Sequence, residues 1–583
     1  MNYRISRQSV SKFSIPAALA ALLSMAALAG NCFAQTAPTS PAGESKPVAV
    51  ITLSGYDELK QDVNFLGTLA GQPDLAAQFE PFIMGFTQGL DKAQPLGLVL
   101  NSGGMMGFTG VLCLPVGDVA AFLKNLQAFG ITSADAGNGM LQISAHGQTL
   151  FSKQGTGWTY LSMMPDMLQN VPADPGQLLG DLSKEYDLGL RAHVQNIPEP
   201  FKNQAVESIK AGMDSGMKPM PNESDEKFQA RKAMTSAQVE QLVRLINEVD
   251  QLTFGLSLDN KQQRALIDFV YTAVPGSKLA EQLALNADAK TNFAGFFQPD
   301  AAGMMMFASK IQESDIAQTE QMFDALRQQA QTAIDEDSDL PSDEAKTIVK
   351  SAVDDFMDAL VATVKAGAMD GGAVLNISPQ SMSIVAGGFI ADPAKVESGL
   401  KKLAELGKEE PEMPAINWNA ESHNGINFHT LSVPTPDEAE PKQLFGDTID
   451  IAVGIGQQSV YFSLGRDCLA AAKKVIDDSA ATPNKSIAPM ELSVALGQIF
   501  STIAAFEKDD EAVKMVAEAL QSEATGRDHV RIVAQPIENG LRSRFEIEEG
   551  ALRAFGVAVK AEQMKAMKAM GAAGAPVEVP AGN

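Results

Sequence analysis

The chain has 583 residues, of which 71 are acidic and 45 basic, and its net charge at pH 7 is −26. A charge of this sign opposes binding to nucleic acids and to anionic membrane surfaces, so we expect no nucleic-acid partner. Three cysteines in a chain of this length indicate that a hydrophobic core, and not a set of disulfides, stabilises the fold. The length predicts two or more domains.

The first 34 residues have the pattern of a signal peptide. Basic residues precede an apolar stretch, Ser14–Gly30, that is too short to span a membrane comfortably. We therefore expect cleavage after Ala34 and export to the periplasm or the medium, with no transmembrane segment in the mature chain. Lipid attachment at Cys32 is the alternative, although Asn31 stands where that pattern needs a small residue.

Beyond the leader, several short patterns occur twice in the same order. Val99–Asn101 returns as Val374–Asn376, and Tyr160–Ser162 returns as Tyr461–Ser463. Further matches pair Asp187 with Glu491 and the turn at Asp259–Asn260 with the turn at Glu538–Asn539. An ordered repeat of this kind predicts a tandem duplication.

The expected domain organisation follows from this repeat. It comprises a signal peptide at 1–34, a flexible linker rich in Thr, Ser, Pro and Gly at 35–47, a first copy at 48–290, a second copy at 291–555, and a helical or disordered tail at 556–583.

Each copy repeats a local order of two strands, a turn with Asp or Pro, and an amphipathic helix. In the first copy, Asp118 precedes a helix at 119–129 that ends at Gly130, and the second copy has a matching helix at 391–406. We interpret Asp118, Asp166 and Asp467 as helix caps. Short alternating strands joined by Asn-Gly turns predict an α+β fold, in which two tandem antiparallel sheets are each covered on one face by helices.

Long helices are expected before the first sheet of each copy. In the second copy they are predicted at 311–334 and 343–366, and the segment 57–89 is predicted to play the same part in the first copy.

The segment Gly110–Leu126 reads GVLCLPVGDVAAFLKNL. Together with its weaker counterpart in the second copy, it resembles a pattern in exported bacterial proteins of unknown function, chiefly from the planctomycete group. The resemblance covers one strand–turn–helix unit per copy. It implies export and an α+β unit, and it transfers no functional residues.

His423 and His429, with Glu421 nearby, suggest a metal site that the predicted geometry opposes. Asn424-Gly425 predicts a hairpin in which paired residue numbers sum to 849, so that His429 lies opposite Ala420. His429 would then share a buried face with Trp418, whereas His423 and Glu421 would face solvent. Side chains on opposite faces of a strand pair cannot bind one ion.

The remaining histidines, His146, His193 and His529, form no HExxH motif and no recognisable Ser-His-Asp order. Met564, Met567 and Met570 form a thioether stripe suited to Cu(I), but core packing is the preferred interpretation because Lys565 and Lys568 would repel the cation. Cys113 and Cys468 are expected to be buried thiols, and the sequence leaves a disulfide between them open.

Three further segments resemble ligand-binding loops incompletely. Residues 335–339 resemble the start of a calcium loop that lacks its Gly and its final Glu. Gly454–Ser459 is half of a dinucleotide fingerprint, and Gly103–Gly107 lacks the Lys-Ser or Lys-Thr of a phosphate loop. We interpret the first as a solvated loop and the other two as turns.

The sequence therefore predicts no metal, no cofactor and no identifiable catalytic residue. The preferred function is an exported, non-catalytic binding or structural protein with an unknown partner. The alternatives are an exported hydrolase that uses dispersed carboxylates and a carrier of a small apolar ligand. A deep cleft with converging polar groups, an apolar cavity, or neither would distinguish the three.

Overall fold

The computed structural model describes residues 46–102, 108–145, 147–220, 224–337, 340, 342–406, 414–522 and 526–573. The chain divides into two compact units. Unit 1 comprises Met1–Lys202 and Asp250–Tyr271, and unit 2 comprises Asn203–Val249 and Thr272–Asn583. Each unit combines helices with an antiparallel sheet, so the α+β prediction is confirmed.

Unit 1 is built on an antiparallel sheet whose strands follow the order β10-β9-β8-β1-β2-β3-β7-β6-β5-β4. The strands are β1 (Pro47–Leu53), β2 (Leu96–Ser102), β3 (Phe108–Leu114), β4 (Thr132–Gly137), β5 (Met140–Ala145), β6 (Gln148–Gln154), β7 (Thr159–Ser162), β8 (Leu188–His193), β9 (Val249–Asp259) and β10 (Arg264–Ala273).

Helices and short 3-10 turns connect these strands. The helices of this part of the chain are α1 (Tyr56–Leu69), α2 (Leu75–Thr87), α3 (Val119–Asn125), α4 (Gly176–Leu179) and α5 (Leu182–Glu185), followed by α6 (Glu199–Gly216), which crosses into unit 2. The 3-10 turns are Gln127–Phe129, Pro165–Leu168 and Val194–Asn196.

Around β2, both faces of the unit 1 sheet carry buried residues. Leu98 packs in one core cluster with Phe122 of α3, whereas the next residue, Val99, packs in another with Leu179 of α4. Successive strand residues point to opposite faces, so these clusters lie on opposite sides of the sheet. The predicted covering of a single face is therefore wrong for this unit.

The strands of unit 2 pair antiparallel in the order β22-β21-β20-β12-β13-β14-β18-β17-β16-β15, and β11 and β19 form a separate two-stranded pair. The strands are β11 (Lys290–Thr291), β12 (Gly303–Lys310), β13 (Ala368–Ser378), β14 (Ser381–Phe389), β15 (Asn417–His423), β16 (Ile426–Pro434), β17 (Thr448–Ile455), β18 (Ser459–Gly465), β19 (Lys485–Ser486), β20 (Met490–Ala495), β21 (His529–Ile537) and β22 (Gly540–Glu548).

The helices of unit 2 begin with α7, which precedes β9. They are α7 (Asp225–Glu248), α8 (Lys278–Leu285), α9 (Glu313–Glu336), α10 (Asp343–Lys365), α11 (Pro393–Leu406), α12 (Ala439–Phe445), α13 (Cys468–Ala481), α14 (Leu496–Phe506), α15 (Glu511–Ser522) and α16 (Glu549–Ala573), with a 3-10 turn at Ala294–Phe296. The long helices expected at 311–334 and 343–366 correspond to α9 and α10, and 57–89 holds α1 and α2.

The core of unit 2 lies between α13 and one face of its sheet. Met306, Val374 and Tyr461 of the sheet pack with Val475 of α13 and with Phe296. On the other face, α11 approaches β16, where Glu397 Oε1 lies 3.8 Å from the ring of buried His429. Helices therefore cover both faces here as well.

The prediction that aspartates cap the helices is correct for Asp118 and wrong for Asp166 and Asp467. The Asp118 carboxylate accepts the backbone N–H of Ala121 at the start of α3. Asp166 lies inside its 3-10 turn and accepts instead from the Gln169 side chain, and Asp467 precedes α13 with φ 54° and no side-chain capping bond. A left-handed residue at the helix start directs its carboxylate away from the free amides.

Among the described residues, none of the helices combines the length and the apolar character that crossing a bilayer requires.

Candidate functional site

A cavity of about 700 Å³ opens at one end of the unit 2 sheet. This volume falls within the range of about 300–1,000 Å³ that is usual for small-molecule sites. The lining comes from strand ends, turns and the segment after α8: Leu285, Asn286, Ala289, Lys290, Asn292, Phe293, Ala308, Ser309, Lys310, Ala368, Met369, Asp370, Phe389, Asn424, Gly425, Ile426, Gly456, Gln457, Gln458 and Ser459.

Tight turns and close strand contacts shape this end of the sheet. The β15–β16 turn uses Asn424 at φ 48° and Gly425 at φ 79°, a conformation that Asn and Gly adopt readily. Next to the cavity, β13 and β14 approach so closely that a Cβ on Gly388 would lie 2.6 Å from the carbonyl oxygen of Asp370. Glycine at this position therefore lets Asp370 reach the cavity rim.

Asp370 is the single carboxylate among the described residues of this lining. Its Oδ1 accepts the Thr291 hydroxyl at 2.5 Å, and its Oδ2 accepts the Asn292 backbone N–H at 2.9 Å. Burial raises the pKa of Asp370, and these two hydrogen bonds lower the pKa only in part. The carboxylate is thus oriented by neutral donors and lacks a compensating cation.

Buried Tyr461 lies within electrostatic range of this carboxylate. Burial is the main cause that raises the pKa of Tyr461 to about 12, and the negative charge of Asp370 adds to the effect. The phenol therefore stays neutral at physiological pH.

Two lysines lie on the cavity rim. Lys290 forms an exposed ion pair with Asp288 at 3.3 Å. The backbone of Lys310 is fixed on both sides by the Asn286 side chain, which accepts the Lys310 N–H at 2.7 Å and donates to its carbonyl at 3.2 Å. The Lys310 side chain takes part in none of the ion pairs between described residues, so its ammonium group is free to meet a ligand.

A second cavity of about 400 Å³ lies between α7 and α9 and shares Ser309, Lys310 and Met369 with the first. Apart from the shared Lys310, its charged side chains are already paired, because Arg244 contacts Asp315 within the lining and Glu248 beside it, both at 3.4 Å. The first cavity is therefore the stronger candidate site.

The hairpin register predicted around Asn424-Gly425 is confirmed next to the turn. Glu421 lies opposite Phe428, and His423 lies opposite Ile426. Farther from the turn, β15 has a bulge at Asn419, where φ is 50°, so the predicted pairing of His429 with Ala420 is lost.

His429 is buried, as predicted, and is 4% exposed. Its Nδ1 accepts the Asn419 backbone N–H at 3.0 Å, and its ring packs edge-on against Trp418 at 4.8 Å between centroids. Burial lowers the pKa of His429, so the ring is a neutral, structural imidazole.

On the opposite face of the hairpin, Glu421 is exposed to solvent, as predicted, whereas His423 is half-buried. Glu421 pairs with Lys473, and His423 Nε2 lies 2.7 Å from Asp477, both partners belonging to α13. These two contacts join the hairpin to α13 at the surface of unit 2.

Neither His193 nor His529 belongs to the cavity lining. His146 lies outside the described residues, and His193 ends β8, where burial lowers its pKa. His529 begins β21, and its Nδ1 lies 3.4 Å from Glu548 and 3.5 Å from Asp528. The hydrogen bond with Glu548 raises the pKa of His529 and so favours the protonated ring.

The remaining motif candidates are structural where the structure describes them. Gly454–Ser459 is the predicted turn, here between β17 and β18, and Cys113 and Cys468 are buried free thiols. Asp335 pairs with Lys350 at 2.5 Å. Parts of three segments lie outside the described residues: 338–339, 103–107, and the side chains of Met567 and Met570 in α16.

Among the described residues, no three His, Cys, Asp or Glu side chains are grouped so that they could hold a metal ion. Comparisons of the chain with protein-family models, with curated proteins and with solved structures find no match. The cavity geometry is therefore the basis for any functional assignment.

Sequence reasoning missed the site because its residues are scattered. Asp370, Thr291 and Asn292 belong to no motif, and they meet only when β11 and β13 are in place. One signal was present in the sequence: Asp370 precedes Gly371-Gly372 at the start of an apolar strand, where an uncompensated carboxylate is unusual.

Proposed function

We propose that the protein is an exported, non-catalytic binding protein and that the cavity in unit 2 is its ligand site. The observation that carries this proposal is Asp370, a half-buried carboxylate in a small-molecule-sized cavity, held by neutral donors alone. A convergent polar group in a partly apolar cavity is the usual arrangement of a binding site.

The hydrolase alternative has less support at this cavity. Hydrolysis by paired carboxylates needs an acid and a base, and Asp370 has no second carboxylate beside it in the described lining. The lining also supplies neither histidine nor cysteine among the described residues. Besides Asp370, Lys290, Lys310 and two serines, the remaining polar groups of the lining are amides and backbone groups, which orient a ligand but do not transfer its protons.

Export remains part of the proposal on the strength of the sequence. The basic residues, the apolar stretch and Ala34 support a cleaved signal peptide at 1–34, and this segment lies outside the described residues. The proposed location is the periplasm or the medium, with lipid attachment at Cys32 as the alternative.

The tandem duplication, with copies at 48–290 and 291–555, also remains a proposal. It is supported by the two strand orders, which correspond one to one when β1 is matched with β12 and β7 with β18. Val50 lies opposite Val99 in unit 1, and Met304 lies opposite Val374 in unit 2. Residues 203–249 and 272–290 are exceptions, since they belong to the first copy by sequence and to unit 2 by contact.

One pairing used to predict the repeat needs correction. Arg191 lies opposite Val50, and Ser493 lies opposite Met304, so these two positions match. Glu491 then corresponds to Gly189, two residues beyond Asp187.

The binding proposal is tested with the mature full chain and a panel of small polar solutes, comprising amino acids, amines, carboxylates and polyols, by saturation-transfer NMR. The variant Ala368→Phe fills the cavity, and Ala366→Phe adds the same bulk at an exposed position outside it. We expect at least one solute to bind the native chain and the Ala366→Phe variant and to lose binding in Ala368→Phe. A panel without any binder, or binding that Ala368→Phe leaves unchanged, would contradict the proposal.

The apolar-carrier alternative has one observation in its favour, on a different surface. Leu190 lies opposite Phe254 in the unit 1 sheet, and these side chains are 38% and 41% exposed. Exposed apolar neighbours of this size often mark a binding surface. Loss of 1-anilinonaphthalene-8-sulfonate fluorescence in Phe254→Lys, with unchanged fluorescence in Ala368→Phe, would favour this carrier role.

A further inference from the structure

Asp370 can accept more hydrogen bonds than it receives. A carboxylate has about four lone-pair positions, and the Thr291 hydroxyl and the Asn292 N–H use two of them. Because one donor holds each oxygen, the group is fixed in orientation while keeping acceptor capacity toward the cavity. An ammonium group is the donor that such a desolvated, uncompensated carboxylate binds most strongly.

Lys310 supplies the opposite charge on the same face of the sheet. Ala308 lies opposite Asp370 and Lys310 lies opposite Ala368, which makes Lys310 and Asp370 diagonal neighbours across β12 and β13. Diagonal neighbours in an antiparallel pair are about 7–8 Å apart. The two charges form no ion pair with each other, and both line the cavity.

Apolar side chains complete the cavity beside these two charges. Phe293 and Ile426 belong to the buried core of unit 2, and Phe389 packs against it. The same lining therefore offers an acceptor for a cation, a donor for an anion and a surface for an apolar group.

We propose that the cavity binds a small zwitterion of the amino-acid type, with its ammonium group on Asp370, its carboxylate toward Lys310 and an apolar side chain against Phe293, Phe389 and Ile426. This inference rests on the proposed function and specifies its ligand class.

The charges in the lining disfavour two other classes of charged ligand, polyamines and dicarboxylates. A polyamine would bring a second positive charge to a rim that already holds Lys290 and Lys310. A dicarboxylate would place one negative charge beside Asp370, which no cation compensates. Like charges in a partly desolvated site repel strongly, so a ligand with one charge of each sign fits best.

The test uses isothermal titration of the mature full chain at pH 7.5 with two matched series of probes. One series is leucine, 3-methylbutylamine and 4-methylpentanoate, and the other is phenylalanine, 2-phenylethylamine and 3-phenylpropanoate. In at least one series we expect the amino acid to bind most tightly, and the acid without its amine to bind roughly tenfold more weakly or worse.

Two variants test which residue binds the ammonium group and which binds the carboxylate of the ligand. Asp370→Asn should weaken binding of the amino acid and of the amine by roughly tenfold or more, and Lys310→Gln should weaken the amino acid while leaving the amine unchanged. Asp450→Asn is the matched control, because Asp450 also accepts two hydrogen bonds, from the Ser432 and Thr448 hydroxyl groups, but lies outside the cavity lining. If Asp370→Asn does not fold, Lys310→Gln alone tests the proposal. Weaker binding of the amino acid with unchanged binding of the amine supports the zwitterion, and equal effects on both overturn it.

The outcomes separate the two proposals. Binding of polyols or simple acids that Ala368→Phe abolishes, without preference for the amino acid, overturns the zwitterion and keeps the binding site. Amino acids that bind Asp370→Asn as tightly as the native chain also overturn the inference. If no solute responds to Ala368→Phe, both proposals fail.

Discussion

At the scale of single residues, the polar groups in the interior are the least expected feature of the chain. In unit 1, Asp62 is 4% exposed, and Asn260 donates to its Oδ1 at 2.9 Å. Its Oδ2 has no hydrogen-bond partner, and burial, together with the charge of Asp187, raises the pKa of Asp62 to about 6. The ionised side chain therefore destabilises the fold above that pH.

Asp62→Asn should make the protein more stable at neutral pH. The raised pKa of Asp62 means that the protonated carboxyl stabilises the fold below pH 4, and this contribution is lost as the pH rises through about 6. The variant keeps an oxygen for Asn260 and carries no charge, so its advantage should grow to at most about 3 kcal/mol by pH 7.5. Urea unfolding at pH 4 and pH 7.5 measures the difference in the free energy of unfolding between the variant and the native chain. The same difference at both pH values would contradict the expectation.

His529→Gln should show the opposite dependence on pH. The hydrogen bond with Glu548 is the main cause that raises the pKa of His529, with Asp528 and the Pro299 carbonyl adding to it. Stability from the protonated ring is therefore fully present below pH 6.5 and is lost as the pH rises through the raised value. We expect the variant to lower the melting temperature more at pH 6 than at pH 9. The exposed substitution Gln457→Ala is the control, and it should show no such dependence.

At the scale of helices and strands, close packing on glycine fixes the geometry of the unit 2 core. A Cβ on Gly372 would lie 2.5 Å from the Met305 carbonyl oxygen and 2.8 Å from Phe296 Cβ, both shorter than a normal contact. Phe296 is fully buried, so it has no free space into which it could move.

Gly372→Ala should therefore destabilise unit 2, by about 1–3 kcal/mol or more. Gly212→Ala in α6 is the matched control, because its Cβ would meet nothing within 4 Å and alanine favours a helix. We expect the control to be neutral or to stabilise by up to about 1 kcal/mol. Differential scanning calorimetry compares the two variants. Equal melting temperatures would show that the core around Gly372 can rearrange to accept the added methyl group.

Helices and turns were predictable from the sequence where neighbouring residues determine them. Asn424-Gly425 fixed the turn and the register beside it, and apolar spacing located α9 and α10 to within a few residues. The bulge at Asn419 was not predictable, because it depends on a hydrogen bond to His429, ten residues away in sequence. The candidate site was equally hidden, since Asp370 acquires its role only when Thr291 and Asn292 are brought to it from another segment.

At the scale of the whole molecule, the proposed duplication and the proposed ligand site are independent features. Matching Val99 with Val374 puts Pro95 at the position of Asp370, so the first copy lacks the carboxylate. If the two copies arose from one ancestor, the carboxylate of the ligand site belongs to the second copy alone. Binding in the full chain should accordingly saturate at one molecule per chain.

The mature protein is expected to carry no tightly bound metal ion. Its histidines are few, and His423 and His429 point to opposite faces of one hairpin. Elemental analysis of protein purified from its native compartment without added metal checks the prediction. Near-stoichiometric zinc, copper or iron that survives dialysis against a weak chelator would contradict it and would favour the hydrolase alternative.

The bulge in β15 also affects how the protein behaves when it is concentrated. β15 is the last strand in the order of the unit 2 sheet, and such a strand presents free backbone groups on which a second chain can add. The Asn419 N–H is already donated to the His429 ring, and its left-handed backbone interrupts the row of acceptors and donors. The kink thus makes this edge a poor template for intermolecular strand addition, so it protects the protein against aggregation in the crowded environment outside the cytoplasmic membrane where we propose that it resides.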